Sequence, residues 1–233
     1  MRGACGFSTG TLRKTHSYEE AVLVYRSLGC TVLEISPSHI FDVAERTEGF
    51  AYVSTHDAPP EPYARTNPAS IDRLEQLAQQ VARLGLDRVV LHPDRVKNWD
   101  LLKEYNIPWG IENLDARNKY FGTPDELESV LSEYDVPLVL DFNHCYTRDP
   151  SLALARAFQE RFAGRIVEQH VSGYRDPSEA GRHLPLFETK QQDILFACDP
   201  TLPTIVEIDV CAPEVLGVEK KYVSDHFENQ QTG

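Results

Sequence analysis

The chain has 233 residues, which is enough for one barrel-sized domain or two small domains. Its formal net charge of −13 argues against a broad basic surface for nucleic acid, although it leaves room for a local basic patch. The sequence has neither a run of 18 apolar residues nor a basic-then-apolar N-terminal segment, so we expect no membrane span and no secretory signal. Its five scattered cysteines lack CxxC spacing, which predicts reduced thiols and a cytoplasmic protein.

Short apolar segments rich in β-branched residues alternate with longer amphipathic segments along the chain. Each short segment is about five residues long and almost continuously apolar, as is typical of parallel strands covered by helices on their outer face. The eight predicted strands are residues 4–8, 31–35, 51–55, 88–92, 109–113, 138–142, 166–171 and 204–209.

The segments between the strands carry the start and stop signals of helices. Ser17 with Glu20 three residues later predicts a capping box, the segment 123–134 repeats that design, and residues 70–85 have helical apolar spacing that ends in glycine. Eight strands, each followed by a helix or a loop, predict an α/β fold, a single-domain (β/α)8 TIM barrel. An open doubly wound sheet is the alternative, but no GxGxxG follows the first strand.

The C-terminal part of the sequence is polar. We therefore assign residues 1–216 to the barrel and residues 217–233 to a polar C-terminal tail. The loop 173–200 between strands seven and eight is long enough to form a lid or a wall of the substrate site. The oligomeric state is left open.

Polar residues collect at the predicted carboxyl ends of the strands, where a barrel of this type places its active site. Each residue alone is explained by a structural hydrogen bond or ion pair, but together they are the residue types that bind divalent metals. In chain order the set is Glu34, His56, Asp57, His92, Glu112, Asp141, His144, His170, His183 and Glu207.

Four members of this set lie on strands five to eight, which are neighbours around the barrel. Glu112, Asp141, His170 and Glu207 are therefore predicted to converge on one divalent ion. Three carboxylates and one imidazole suit Zn²⁺, Mn²⁺, Mg²⁺ or Co²⁺, so the choice among these metals stays open.

Two further histidines follow strands three and four. His56 and His92 are predicted to hold a second ion that is bridged by Glu112. His144 and His183 would supply part of a third position. The sequence therefore predicts one or more divalent ions as the cofactor.

These segments resemble the xylose-isomerase-like TIM-barrel superfamily. That superfamily contains sugar isomerases and epimerases of the tagatose-epimerase type and apurinic/apyrimidinic endonucleases of the endonuclease IV type. The epimerase pattern is Glu, Asp with a His three residues later, His, and Glu. It is matched by Glu112, Asp141 with His144, His170 and Glu207.

The endonuclease pattern adds a His after strand three, a His after strand four and an Asp-x-His after strand seven. His56 and His92 match the first two positions. The third position has Gly181 in place of the Asp, two residues before His183. A third zinc site of the endonuclease type would therefore lack its carboxylate.

The resemblance implies a divalent-metal-dependent isomerase or epimerase of a sugar or sugar phosphate, with proton transfer through a metal-stabilised enediolate. It implies that Glu112 and Glu207 act as general base and acid, and that His144 hydrogen-bonds a substrate oxygen in the catalytic set. The expected substrate-binding residues are Glu34, Arg175 and His183.

An endonuclease IV-like multi-zinc phosphodiesterase is the alternative function. A site with two ions accounts for His56 and His92, whereas the acidic net charge and Gly181 favour a small, sugar-like substrate over nucleic acid. A metal site without catalysis is a third alternative. The arginines considered for phosphate binding at the rim are Arg65, Arg95, Arg117, Arg148 and Arg175.

Overall fold

The computed structural model describes residues 3–43, 47–176, 182–209 and 212–230. Within them, eight parallel strands pair in chain order and the eighth pairs with the first, which confirms the predicted (β/α)8 barrel over the open sheet. The strands are β1 Cys5–Ser8, β2 Val32–Ile35, β3 Tyr52–Asp57, β4 Arg88–Leu91, β5 Trp109–Glu112, β6 Leu138–Asp141, β7 Ile166–Val171 and β8 Thr204–Val206.

Helices follow the strands and cover the outside of the barrel. In the described part of the chain they are α1 Tyr18–Ser27, α2 Pro68–Leu84, α3 Trp99–Leu102, α4 Pro124–Tyr134, α5 Phe142–Arg148, α6 Ala153–Arg161, α7 Leu186–Thr189, α8 Gln192–Ala197 and α9 Pro213–Asn229. Helix α1 begins with the predicted capping box, because Ser17 and Glu20 exchange hydrogen bonds of 2.8 and 3.3 Å. In the described residues, no helix is long and apolar enough to cross a bilayer.

Strands β1 and β2 lie so close together that a side chain at one position would collide with the backbone. A Cβ atom added to Gly6 would lie 1.7 Å from the carbonyl oxygen of Val32, its register partner on β2. Glycine is therefore required at this position, since the obstacle is a strand backbone that cannot move aside.

Helix α9 runs through residue 216, where the sequence analysis ends the barrel. Residues 217–229 continue this helix instead of forming a polar tail, and Leu216, Val223 and Phe227 are buried in the core. Their spacing of seven and four residues places them on one face of the helix. Residues 231–233 lie outside the described part of the chain.

The buried carboxylate of Glu219 connects helix α9 to the loop after β7. Its oxygens accept hydrogen bonds from the backbone amides of Leu186 at 2.8 Å and Phe187 at 3.1 Å, at the start of α7. Burial raises the pKa of Glu219 to about 7, with Glu188 adding to the increase, although the two amide hydrogen bonds oppose it. The loop that carries His183 is thereby attached to the last helix.

We predict that Gly6→Ala lowers the free energy of unfolding by at least about 3 kcal/mol, or prevents folding, because the new methyl group meets the Val32 carbonyl. Gly217→Ala is the matched control. A Cβ atom there meets only Leu28 at 3.5 Å, so this variant should be as stable as the parent or slightly more stable. Urea unfolding followed by circular dichroism measures both, and a stable Gly6→Ala protein would contradict the strand spacing.

We predict that Glu219→Gln changes the pH dependence of stability. A carboxylate whose pKa is raised on folding costs stability as pH rises from its ordinary value of 4.5 to about 7. From pH 5 to pH 7.5, the stability of the variant relative to the parent should rise by about 2 kcal/mol. Urea unfolding at both pH values measures this difference. Glu228→Gln, on the exposed end of the same helix, is the control, and its stability relative to the parent should not change with pH. If Glu219→Gln also shows no change with pH, burial does not raise the pKa of Glu219.

Candidate metal centre

The predicted site residues meet at the carboxyl ends of the strands. Two groups of ligand atoms each lie within 4.8 Å of one another. The first contains His56, His92 and Glu112, and the second contains Glu112, Asp141, His170 and Glu207. These are the two sets that the sequence analysis assigns to one or two ions.

Glu112 belongs to both groups and directs one carboxylate oxygen toward each. Its Oε2 lies 3.1 Å from Nε2 of His56 and 2.7 Å from Nε2 of His92. Its Oε1 lies 2.9 Å from Nδ1 of His170, on the other side. Because one oxygen faces each group, Glu112 is placed as a ligand that could bridge two cations.

Two buried ligand atoms in the second group show that it suits a cation. Oε1 of Glu112 and Nδ1 of His170 are buried without a hydrogen-bond partner among the described residues, although the two atoms face each other at 2.9 Å. Buried polar atoms without partners are costly, and a divalent ion between them would satisfy both. The donor set of carboxylates and an imidazole therefore fits Zn²⁺, Mn²⁺, Mg²⁺ or Co²⁺.

The same group concentrates negative charge inside the barrel. Burial raises the pKa of Asp141 to about 8, and repulsion by Glu112 and Glu207 adds to this effect. Burial and repulsion by Glu207 likewise raise the pKa of Glu34 to about 8. The pKa of Glu112 lies well below its ordinary value, because His170 and the other imidazoles around it outweigh the effect of burial. A divalent cation would relieve the repulsion among these carboxylates.

One buried carboxylate that was not predicted from the sequence lies against His170. Oε1 of Glu168 lies 3.0 Å from Nε2 of His170, on the opposite side of the ring from Glu112. Glu168 also accepts hydrogen bonds from the Tyr52 hydroxyl at 2.8 Å and the Ser54 hydroxyl at 2.9 Å. The alternation along "IVEQHV" would have revealed it, because residues two apart on a strand face the same side.

The turn that joins β6 to α5 fixes the Asp-x-x-His motif. Asp141 caps the helix, since its Oδ1 accepts a hydrogen bond of 2.9 Å from the amide of His144. Nδ1 of His144 donates to the carbonyl of Asn113 at 2.7 Å, which leaves Nε2 facing Oδ2 of Asp141 at 3.4 Å. His144 is thus held beside the second group but is not one of its members.

His183 reaches the site from the loop after β7. Its Nδ1 lies 3.5 Å from Oε2 of Glu207 and 3.1 Å from the Ser172 hydroxyl. Its ring centroid is 6.3 Å from that of His144. Gly181, at the position where the endonuclease pattern has Asp, lies outside the described residues.

Two residues singled out in the sequence have other positions. Asp57 accepts hydrogen bonds from Tyr63 at 2.5 Å and from Arg73 at 2.5 Å, so it fastens the loop after β3 and stands apart from the two groups. Arg175 lies 3.3 Å from Glu188 on the surface and borders a separate cavity of about 400 Å³. We therefore do not place Arg175 in the cavity of the metal centre.

The other rim arginines are also engaged within the protein. Arg148 donates to the backbone carbonyls of Leu114 and Asp115 at 3.0 and 2.8 Å, which fixes the loop after β5. The remaining three form ion pairs: Arg65 with Glu104, Arg95 with Asp94 and Arg117 with Asp115. These contacts leave little of the rim available for a nucleic-acid backbone.

A cavity of about 310 Å³ opens beside the second group. Its lining includes the site residues Glu34, His56, His183 and Glu207. The end of β1 and the loops after β1 and β2 contribute further residues, including Ser8, Gly10, Thr11, Arg13 and Ser36. No residue of the β1 loop was predicted to belong to the site. The polar run "STGTLR" directly after β1 was the sequence feature that could have indicated it.

The sequence matches no protein-family model and no curated protein. Several solved structures have the same fold. An endonuclease IV from Thermus thermophilus is 18% identical, with 99% of this chain and 100% of that chain covered at a TM-score of 0.73. A D-tagatose 3-epimerase-like protein is 14% identical, with 100% of both chains covered at a TM-score of 0.67. The probable 3-DHS dehydratase AsbF from Bacillus anthracis is 15% identical, with 96% of this chain and 99% of that chain covered at a TM-score of 0.69. At these identities the likeness shows the fold alone; the neighbours include proteins named for both the epimerase and the endonuclease types that the sequence motifs resemble.

Proposed function

We propose that this protein is a divalent-metal-dependent enzyme that isomerises or epimerises a small sugar or sugar phosphate. The observation that carries the proposal is the convergence of Glu112, Asp141, His170 and Glu207 beside a small polar cavity. A cavity of about 310 Å³ suits a sugar-sized molecule. The structural neighbours named above are an epimerase-like protein, a probable dehydratase and an endonuclease, which supports an enzyme without selecting the reaction.

Glu112, Asp141, His170 and Glu207 would hold the ion. When bound, a divalent ion supplies Lewis-acid stabilisation of the negative charge that develops on substrate oxygens as a carbon-bound proton is removed. Oδ2 of Asp141 is the oxygen left to bind the ion, because Oδ1 accepts a hydrogen bond from the amide of His144.

Proton transfer requires carboxylates that the substrate can reach. Glu207 and Glu34 both line the cavity, whereas Glu112 does not, and its Oε2 lies against the imidazoles of His56 and His92. We therefore propose Glu207 and Glu34 as the groups that exchange protons with the substrate, in place of the pair Glu112 and Glu207 implied by the family resemblance.

Further residues of the cavity lining favour a substrate with hydroxyl or phosphate oxygens. Arg13 lines the cavity together with Ser8, Thr11 and Ser36, which offer hydroxyl groups. A guanidinium binds phosphate oxygens in a fixed geometry, and hydroxyl groups donate to sugar oxygens. We propose that these residues hold the end of the substrate that does not react.

Hydrolysis of a phosphate ester by two ions is the second candidate. It is favoured by one observation, namely that His56 and His92 both contact Oε2 of Glu112. Two ions close together activate water and stabilise charge on a transferring phosphoryl group. The ion pairs of the rim arginines and the net charge of −13 favour a small substrate in this case as well.

We predict that Asp141→Asn loses the ion on which activity depends, because the substitution removes a charged ligand from the second group. The double variant His56→Ala/His92→Ala should keep that ion and lose any ion in the first group. Metal analysis of the purified proteins, after reconstitution with Zn²⁺ or Mn²⁺, counts ions per chain. Retention of every ion by Asp141→Asn would contradict the assignment of the main site.

We predict that the metal-loaded protein transfers deuterium from D₂O into a carbon-bound position of a ketose or ketose phosphate, detected by mass spectrometry across a panel of such sugars. Glu34→Gln should slow this exchange by about 10²- to 10⁴-fold because it removes a proton-transferring carboxylate. Glu104→Gln, at an exposed ion pair, is the control and should exchange at the parent rate. Cleavage of bis-p-nitrophenyl phosphate or abasic DNA, without exchange in any sugar, would instead support the second candidate.

A further inference from the structure

Glu168 is a fully buried carboxylate in the middle of β7 for which the proposed function has no role. It is 0% exposed, and it lies two residues before His170 on the same inward face of the strand. Three donors surround it: the hydroxyls of Tyr52 and Ser54, and Nε2 of His170 at 3.0 Å. Tyr52 and Ser54 come from β3, across the barrel from β7.

These contacts determine which nitrogen of His170 carries a proton. A carboxylate can only accept a hydrogen bond from an imidazole, so the proton of the Glu168 contact must reside on Nε2. Nδ1 is then the nitrogen left to bind an ion on the opposite side, where Oε1 of Glu112 lies at 2.9 Å and Oε1 of Glu207 at 3.5 Å. The ring cannot rotate without breaking the contact with Glu168.

We propose that Glu168 is a positioning residue, which fixes the ring and the tautomer of His170 so that Nδ1 binds the divalent ion. The inference rests on the proposed function, because it requires His170 to be a metal ligand. Carboxylates that accept a hydrogen bond from the second nitrogen of a ligating histidine orient the ring and increase its basicity. The Tyr52 and Ser54 hydroxyls in turn hold the carboxylate of Glu168 in place.

A different role for Glu168 is also compatible with its position. Glu34, Glu168 and His170 form a third group whose ligand atoms lie within 4.8 Å of one another, so Glu168 could ligate an ion itself. Its oxygens are already occupied, however: Oε2 by Tyr52, and Oε1 by Ser54 and His170. Oε2 of Glu34 lies farther from Nε2 of His170, at 3.6 Å. The hydrogen bonds therefore favour positioning over ligation.

The test compares Zn²⁺ affinity in Glu168→Leu, Glu168→Gln and the parent, by competition with a chromophoric chelator. Glu168→Leu should bind Zn²⁺ about 10- to 100-fold more weakly, with the number of ions per chain unchanged. Glu168→Gln should recover most of the affinity, because its amide oxygen still accepts from Nε2. Gln169→Leu is the matched control: it loses hydrogen bonds to Asp199 and Thr204 on the outer face of the same strand, and should keep the parent affinity.

Nuclear magnetic resonance of ¹⁵N-histidine-labelled, Zn²⁺-loaded protein gives a readout that loss of stability alone would not move. The parent should show a His170 Nε2–H proton shifted strongly downfield by the carboxylate, and Glu168→Gln should move this proton upfield. This second readout holds even if Glu168→Leu fails to fold. The inference would be overturned if Glu168→Leu kept the parent Zn²⁺ affinity and Glu168→Gln kept the parent resonance. Loss of one complete ion in Glu168→Gln would also overturn it, because that result would identify Glu168 as a ligand. If the parent binds no divalent ion, the proposed function fails with it; if parent and variants bind alike, the inference fails alone.

Discussion

Burial of several carboxylates around one histidine is the constraint on which the rest of this structure depends. Each buried carboxylate is costly unless it is paired, hydrogen-bonded or bound to a cation. His170 contributes to the compensation on both sides of its ring, with Glu112 facing Nδ1 and Glu168 facing Nε2. The buried carboxylates are Glu34, Glu112, Asp141 and Glu168, and the partly exposed Glu207 lies beside them. Burial, with repulsion from neighbouring carboxylates, raises the pKa values of Glu34 and Asp141, and a divalent cation would offset both effects.

The barrel makes this concentration of charge structurally tolerable. Its eight parallel strands place their carboxyl ends around one rim, so residues on or just after β2 to β8 bring carboxylates and imidazoles to the centre while the outer faces of the strands pack against helices. The connecting loops are then fastened from outside the centre. Asp57 holds the loop after β3 through Tyr63, Arg148 holds the loop after β5, and Glu219 holds the loop after β7. These polar contacts fix the loops without using the residues of the metal centre.

Most of the barrel could be predicted from the sequence, because the strands are short and largely apolar and the main ligands stand at or near their carboxyl ends. Glu168 was not predicted from its own position, since only the two-residue alternation counted back from His170 places it on the inward face of β7. The burial of Val223 and Phe227 in α9 was missed because the charged residues around them hide the helical spacing. The ion pair of Arg175 with Glu188 depends on how the loop after β7 folds back, which neither composition nor periodicity encodes.

The arrangement of histidines also explains why sequence motifs alone do not separate the two proposed chemistries. The rings of His56, His92, His144 and His183 follow one another around the mouth, with centroid separations of 4.8, 6.2 and 6.3 Å. Only the first two contact Glu112; His144 is bound through Nδ1 to a backbone carbonyl, and His183 faces Glu207. A second ion therefore has a bridging carboxylate available at His56 and His92. At His144 and His183 the described residues offer only the carboxylates that already serve the main site. The number of ions, one or two, thus depends on whether Oε2 of Glu112 binds a second ion together with His56 and His92. A third ion would have to share ligands with the first.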